Sequence, residues 1–84
     1  MSVSELVCNE RVSNANNAYP NAYPPKMKIY EILNGSQNLP QGSSGGIIFA
    51  YHWNAGGINQ LHIASEGVWV RSGYVTSLGT WSKL

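Results

Sequence analysis

From Gly45 to Leu84 the chain reads GGIIFAYHWNAGGINQLHIASEGVWVRSGYVTSLGTWSKL, short apolar runs of period two separated by glycine-bearing turns. That rhythm constrains the fold more than any other feature. Side chains alternate across a strand, so Ile47, Phe49, Tyr51 and Trp53 fall on one face of a strand over Gly46–Trp53, with Ile48, Ala50 and His52 on the other. Asn54-Ala55-Gly56-Gly57 supplies a turn, and Ile58–Ala64 returns with Leu61 and Ile63 opposite Gln60 and His62. After Ser65-Glu66-Gly67, a strand at Val68–Ser72 sets Val68 and Val70 against Trp69 and Arg71, and Thr80–Leu84 offers a closing strand.

Upstream, Lys26–Leu33 alternates in the same way, with Met27, Ile29 and Glu31 on one side and Lys28, Tyr30 and Ile32 on the other. Asn34-Gly35, Leu39-Pro40 and the glycine and serine run to Gly46 read as a loop. Residues 1–25 are different in kind. Asn14–Asn17 and the doubled Ala-Tyr-Pro at Ala18–Pro20 and Ala22–Pro24 oppose helix and central strand alike, which predicts an extended arm or linker. Tyr19 and Tyr23 on such a rigid segment either lie along a neighbouring subunit or belong to a plain linker. The expected architecture is all-β: an extended arm over residues 1–25, then a small antiparallel meander or sandwich-like domain over 26–84.

With 84 residues the chain makes one domain at most, and a domain so small buries a modest fraction of its surface. A meander also leaves two open edges. Association of identical chains covers both deficits, so a homo-oligomer is expected.

Charged residues make up 11% of the chain, against roughly 25% in an ordinary soluble domain, and aspartate is absent. Five scattered basic residues and a net charge of +1 give no stripe that tracks phosphates, so no nucleic-acid partner is expected. No apolar run approaches the roughly 20 residues of a membrane span. The opening MSVSELVCNE lacks the pattern of a secretory signal, and the sequon Asn34-Gly35-Ser36 is read as chance. The single cysteine, Cys8, forms no internal disulfide, which fits synthesis in a reducing cytoplasm, and it lies far in sequence from either histidine, the bases available to activate a thiol. His52 and His62 make a weak metal pair without a third ligand, so no metal and no cofactor is expected.

Catalysis has little to work with. Glycoside hydrolysis by the common route takes two carboxyl groups at a set separation, and the β region offers only Glu31 and Glu66, near a strand end and in a turn. A Ser-His-Asp set cannot be assembled without aspartate, and no nucleophile elbow accompanies either glutamate. The chain reads as a non-enzyme.

Binding is better supplied. A pyranose offers an apolar C–H face and a rim of hydroxyls, which matches exposed aromatic faces flanked by amides and cations. Trp69 and Arg71 share a strand face, with Gln60 and His62 expected beside them, and this cluster is the leading candidate sugar site. Trp53 and Asn54 at the following turn are further candidates. The competing reading of the same residues is structural, with the rings in a core or subunit interface and Arg71 lying over an indole.

Asn38-Leu39-Pro40 followed by a Gly/Ser loop, an apolar strand, a strand carrying Gln60, then Val68-Trp69-Val70-Arg71-Ser72-Gly73 and a near-terminal Gly79-Thr80-Trp81-Ser82 resembles the knob-type C-terminal domain of phage tail fibres, tailspikes and R-type pyocins. The resemblance covers Tyr30–Leu84 and departs after Trp81, where the family often carries a second aromatic. It implies a small, often trimeric β domain at the distal end of a host-recognition fibre in the virion, in several members binding bacterial surface polysaccharide. It also implies a larger fibre or tailspike chain as a partner, with Met1 marking a shortened form of that chain or a separately made C-terminal piece. A purely structural alternative is a tip that trimerises or caps the fibre without touching sugar.

Overall fold

The computed structural model describes residues 10–21 and 26–84, which build one six-stranded sheet whose spatial order follows the chain. The strands are β1 (Glu10–Asn14), β2 (Lys26–Gln37), β3 (Gly46–His52), β4 (Gly57–Ala64), β5 (Gly67–Tyr74) and β6 (Ser82–Lys83). Strands β2 to β6 pair antiparallel, as the alternation predicts. Expected and observed limits of the three central strands differ by a residue or two at most ends.

Two features of the expected architecture are corrected. The sheet is mixed, because β1 joins its edge parallel to β2, within the stretch assigned to the arm. Glu10-Arg11-Val12 alternates like a strand, and its pairing is favoured by Arg11 Nε to Glu31 at 2.6 Å, Lys28 Nζ to Glu10 at 2.9 Å and Val12 against the core. The second correction concerns layers. In place of a second sheet, the cover over the sheet is irregular chain: a 3-10 turn at Ala15–Asn17, the segment to Asn21, and the loop after β2. Cys8 and Tyr23 lie outside the described residues.

Strand β2 also runs on to Gln37 instead of ending at Leu33. The Asn34-Gly35 signal is present as a bulge: Val12 pairs with Ile32, but Asn14 pairs with Gln37, so the intervening residues bow outward. Asn14 then fastens the junction. Its side-chain nitrogen donates to Gln37 Oε1 (3.2 Å), while its oxygen accepts from the Asn16 backbone (2.9 Å) and from Asn38 Nδ2 (2.8 Å).

Cross-strand register divides the side chains into two faces. The inner face carries the rows Tyr30–Ile48–His62–Trp69 and Ala50–Gln60–Arg71, with His52 beside Ile58, and these residues are buried. The outer face carries Ile29–Phe49–Leu61–Val70 and Ile47–Ile63–Val68, which stay half-exposed or exposed. The face with the polar residues is therefore the covered one.

The cover explains this inversion. Residues 15–21 and 38–45 lack a regular ladder, and buried backbone groups need partners. Glutamine, arginine and histidine side chains supply them, whereas the isoleucines of the other face cannot. Small Ala15 and Ala18, both fully buried, let the cover lie close.

Tight packing of the strands themselves sets one requirement on glycine. A Cβ on Gly46 would sit 2.1 Å from the Ile63 carbonyl oxygen, backbone that cannot yield, whereas one on Gly42 would meet nothing within 4 Å. Gly46→Ala is expected to cost about 1–3 kcal/mol in urea unfolding, clearly more than Gly42→Ala, whose penalty is confined to its positive φ of 94°.

Candidate functional site

Gln60 and Arg71 face each other across β4 and β5, as do His62 and Trp69. The four residues proposed from sequence as a cluster are thus brought together. They are also enclosed: relative exposure is 2% for Gln60, 0% for His62, 4% for Trp69 and 9% for Arg71.

Their polar atoms are engaged within the chain. Gln60 Nε2 donates to the carbonyls of Ala15 and Ala18, each at 2.8 Å, and Gln60 Oε1 accepts from Arg71 Nε at 2.6 Å. Arg71 also donates to Asn16 Oδ1 at 2.9 Å, and its guanidinium lies 4.3 Å from the centre of the Trp81 ring. Trp81 in turn donates its indole N–H to the Asn38 carbonyl at 2.9 Å. Among the described residues no carboxylate pairs with Arg71. Burial lowers its pKa to about 10, which leaves it cationic at neutral pH, held by amide oxygens and the indole face.

The histidines sit apart with their ring nitrogens engaged. Carbonyl oxygens only accept, so His62 Nδ1 donates to Ile47 O at 3.0 Å, and Nε2 accepts the Ser43 hydroxyl at 2.6 Å. The same logic has His52 Nδ1 donating to Pro20 O at 2.7 Å, with Nε2 accepting from the Gly56 backbone at 3.2 Å. Burial pushes the His62 pKa down. Trp69 stacks on His62, ring centres 5.7 Å apart, with Lys83 Nζ 5.2 Å from its ring centre.

No group of three histidine, cysteine or acidic side chains among the described residues is placed to hold a metal ion. The carboxylates have local roles. Glu31 pairs with Arg11, and Glu66 accepts from the Ser44 hydroxyl (2.6 Å) and backbone (3.1 Å), bonds that hold its carboxyl below the usual range.

Trp53 and Asn54 are separated from that cluster and lie where the chain leaves β3. Asn54 Oδ1 caps the turn by accepting from Gly57 N–H at 2.7 Å. The Trp53 indole lies over Gly57, where an added Cβ would come within 2.6 Å of two of its ring carbons. Its ring is 40% exposed and stands 6.5 Å from that of Tyr74, which is 54% exposed, at an angle of 48°. Tyr74 was not among the sequence candidates, because nothing local shows that its register opposite Gly57 sets it beside Trp53.

The outer face forms an open groove of about 1050 Å³. Met27, Phe49, Tyr51, Leu61, Ile63 and Val70 line it, with Asn59, Gln60, Arg71, Ser72, Thr80 and Ser82 also contributing. Its signal was present in the alternation of β3, β4 and β5. Comparison with protein-family models, curated proteins and solved structures finds no match to this chain.

The buried network makes a stability prediction. Gln60→Leu keeps volume but strands two carbonyls and the Arg71 Nε–H, each costing about 1–3 kcal/mol when left unpaired. Arg71→Met removes a buried cation together with its desolvation cost and keeps much of the packing on Trp81. Chemical denaturation is expected to rank Gln60→Leu as the more damaging of the two.

Proposed function

We propose that this chain is a non-catalytic tip domain of a phage tail fibre or tailspike, and that its principal role is to assemble with copies of itself into a homotrimer through the outer face of its sheet. The observation that carries this reading is the outer groove, an open surface whose lining is led by Met27, Phe49, Tyr51, Leu61, Ile63 and Val70 and whose one charged residue, Arg71, is 9% exposed. A plate of four strands about 4.8 Å apart presents on the order of 450 Å² in projection, roughly half of the 800 Å² per partner of a standard interface. An apolar plate of that extent is a surface for burial against protein. The resemblance of Tyr30–Leu84 to trimeric fibre knobs supplies the occupant: further copies of the same chain, at the end of a larger fibre protein in the virion.

A second reading keeps bacterial surface polysaccharide as ligand and moves it to the turn after β3. Trp53 and Tyr74 are exposed rings held at a fixed angle, the apolar half of what a pyranose needs. Trp69, Arg71, Gln60 and His62 then act as the frame behind the sheet, without contact to sugar.

Size-exclusion chromatography with light scattering tests the assembly. The wild type is expected at three times the 9.2 kDa chain mass, and Leu61→Lys, which sets a charge in the middle of the outer face, is expected to run as a monomer with unchanged far-UV circular dichroism. A wild type that stays monomeric at micromolar concentration refutes the reading. For the ligand, Trp53→Ala is expected to lower polysaccharide binding on a glycan array at least tenfold while leaving the oligomer intact. Equal binding by this variant would exclude the turn as the sugar site.

A further inference from the structure

His62 is the fully buried centre of a junction among segments remote in sequence. Its Nε2 takes the hydroxyl of Ser43 in the loop after β2, its Nδ1 holds the Ile47 carbonyl of β3, and its ring packs against Trp69 of β5 and against Trp81 near the chain end, centres 5.7 and 5.8 Å away. Trp81 is also bonded to Asn38 at the start of that loop and lies under Arg71. The loop and the C-terminal segment thus close on each other over one imidazole.

We propose that the 38–45 loop and the segment around Trp81 form a clasp that mild acid opens, with protonation of His62 as the trigger. The inference does not depend on what occupies the outer face. It rests first on hydrogen-bond direction. With Nδ1–H committed to the Ile47 carbonyl, Nε2 must be the acceptor for Ser43 O–H, and Ser43 Oγ already accepts from the Gly45 N–H at 3.0 Å. A proton on Nε2 turns an acceptor into a donor. The Ser43 hydroxyl hydrogen loses its partner, and a charge is created at a site sealed from water.

The charged neighbours do not offset this. Lys83 of β6 lies over the Trp69 ring and Arg71 of β5 over the Trp81 ring, so both indoles that flank His62 already carry a cation. Strand β3 contributes the Ile47 carbonyl, and the loop contributes the Ser43 hydroxyl. The one nearby carboxylate, Glu66 in the turn between β4 and β5, favours the imidazolium but is engaged by Ser44, and desolvation outweighs it.

The direction of the pH effect follows. The closed form binds the proton less readily than the open form, so its stability is complete above about pH 6.5 and drains as the pH falls below that value. Opening reaches the outer face as well, because Thr80 and Ser82, on either side of Trp81, line the outer groove.

The test is a titration of the intact chain between pH 7.5 and 4.5, following the His62 ring and the Trp81 indole N–H by NMR alongside tryptophan emission. His62 is expected to titrate below 6.5, with the Trp81 signal moving and the emission shifting red at the same midpoint, while far-UV circular dichroism holds. His62→Gln keeps a donor and an acceptor but has no proton to gain, and its emission is expected to be flat across the range. His52→Gln and Glu66→Gln are expected to retain the step. A His62 midpoint at or above 6.5, a Trp81 signal that ignores the His62 titration, or a step that persists in His62→Gln each overturns the proposal. If His62→Gln does not fold, the wild-type NMR titration decides alone.

Discussion

One glutamine side chain carries the organisation of this domain. Gln60 stands in the middle of the sheet, gives both amide hydrogens to the carbonyls of Ala15 and Ala18, and takes the Nε–H of Arg71 on its oxygen. It joins the irregular cover to the strand ladder and fixes the guanidinium that supports Trp81. A segment of asparagine, alanine and proline has little apolar area with which to hold itself down, so directional bonds from the sheet do that work. Without them the inner face has no lid.

The consequence is an unusual division between faces. The interior is a satisfied polar network mixed with isoleucine, tyrosine and tryptophan: no buried side-chain nitrogen or oxygen among the described residues lacks a partner. Such networks specify a single arrangement, since every misplacement leaves an orphaned group in a low dielectric. Ile32, Ile48 and Ile58 fill part of that interior, and further aliphatic side chains stand on the outside. Phe49, Leu61, Ile63 and Val70 are left on the outer face, half-exposed or exposed.

The chain's end is integrated by the same logic. Trp81 receives Arg71 on its face, touches His62 and reaches back to Asn38, so the shortest strand is anchored by rings and cations more than by its ladder. Asn38, with φ of 61°, is the non-glycine residue in the left-handed region among those described, and its two bonds, through Nδ2 to Asn14 and through its carbonyl to Trp81, hold that conformation. Loop, arm and terminus meet on the inner face. That meeting makes protonation of one histidine there consequential.

Much of the β framework was legible in the residues. Alternation in Ile47–Tyr51, Leu61–Ile63 and Val68–Arg71 gave the strands and sorted their side chains, and the glycine turns gave the antiparallel order. The proximity of Gln60, His62, Trp69 and Arg71 followed from the same register. What alternation cannot show is which of its two sets is covered, because a period of two is symmetric between faces. The choice was made by residues 10–21, whose alternation is too short and whose turn too unpatterned to mark a face, and whose partners lie more than forty residues away at Gln60 and Arg71. The sequence by itself determined a sheet with Gln60, His62 and Arg71 on one face and Phe49, Leu61 and Val70 on the other. Only the tertiary structure decided that the face with Gln60, His62 and Arg71 is the inside, since a lid of unpaired backbone needs hydrogen-bonding side chains beneath it and Gln60 supplies them there.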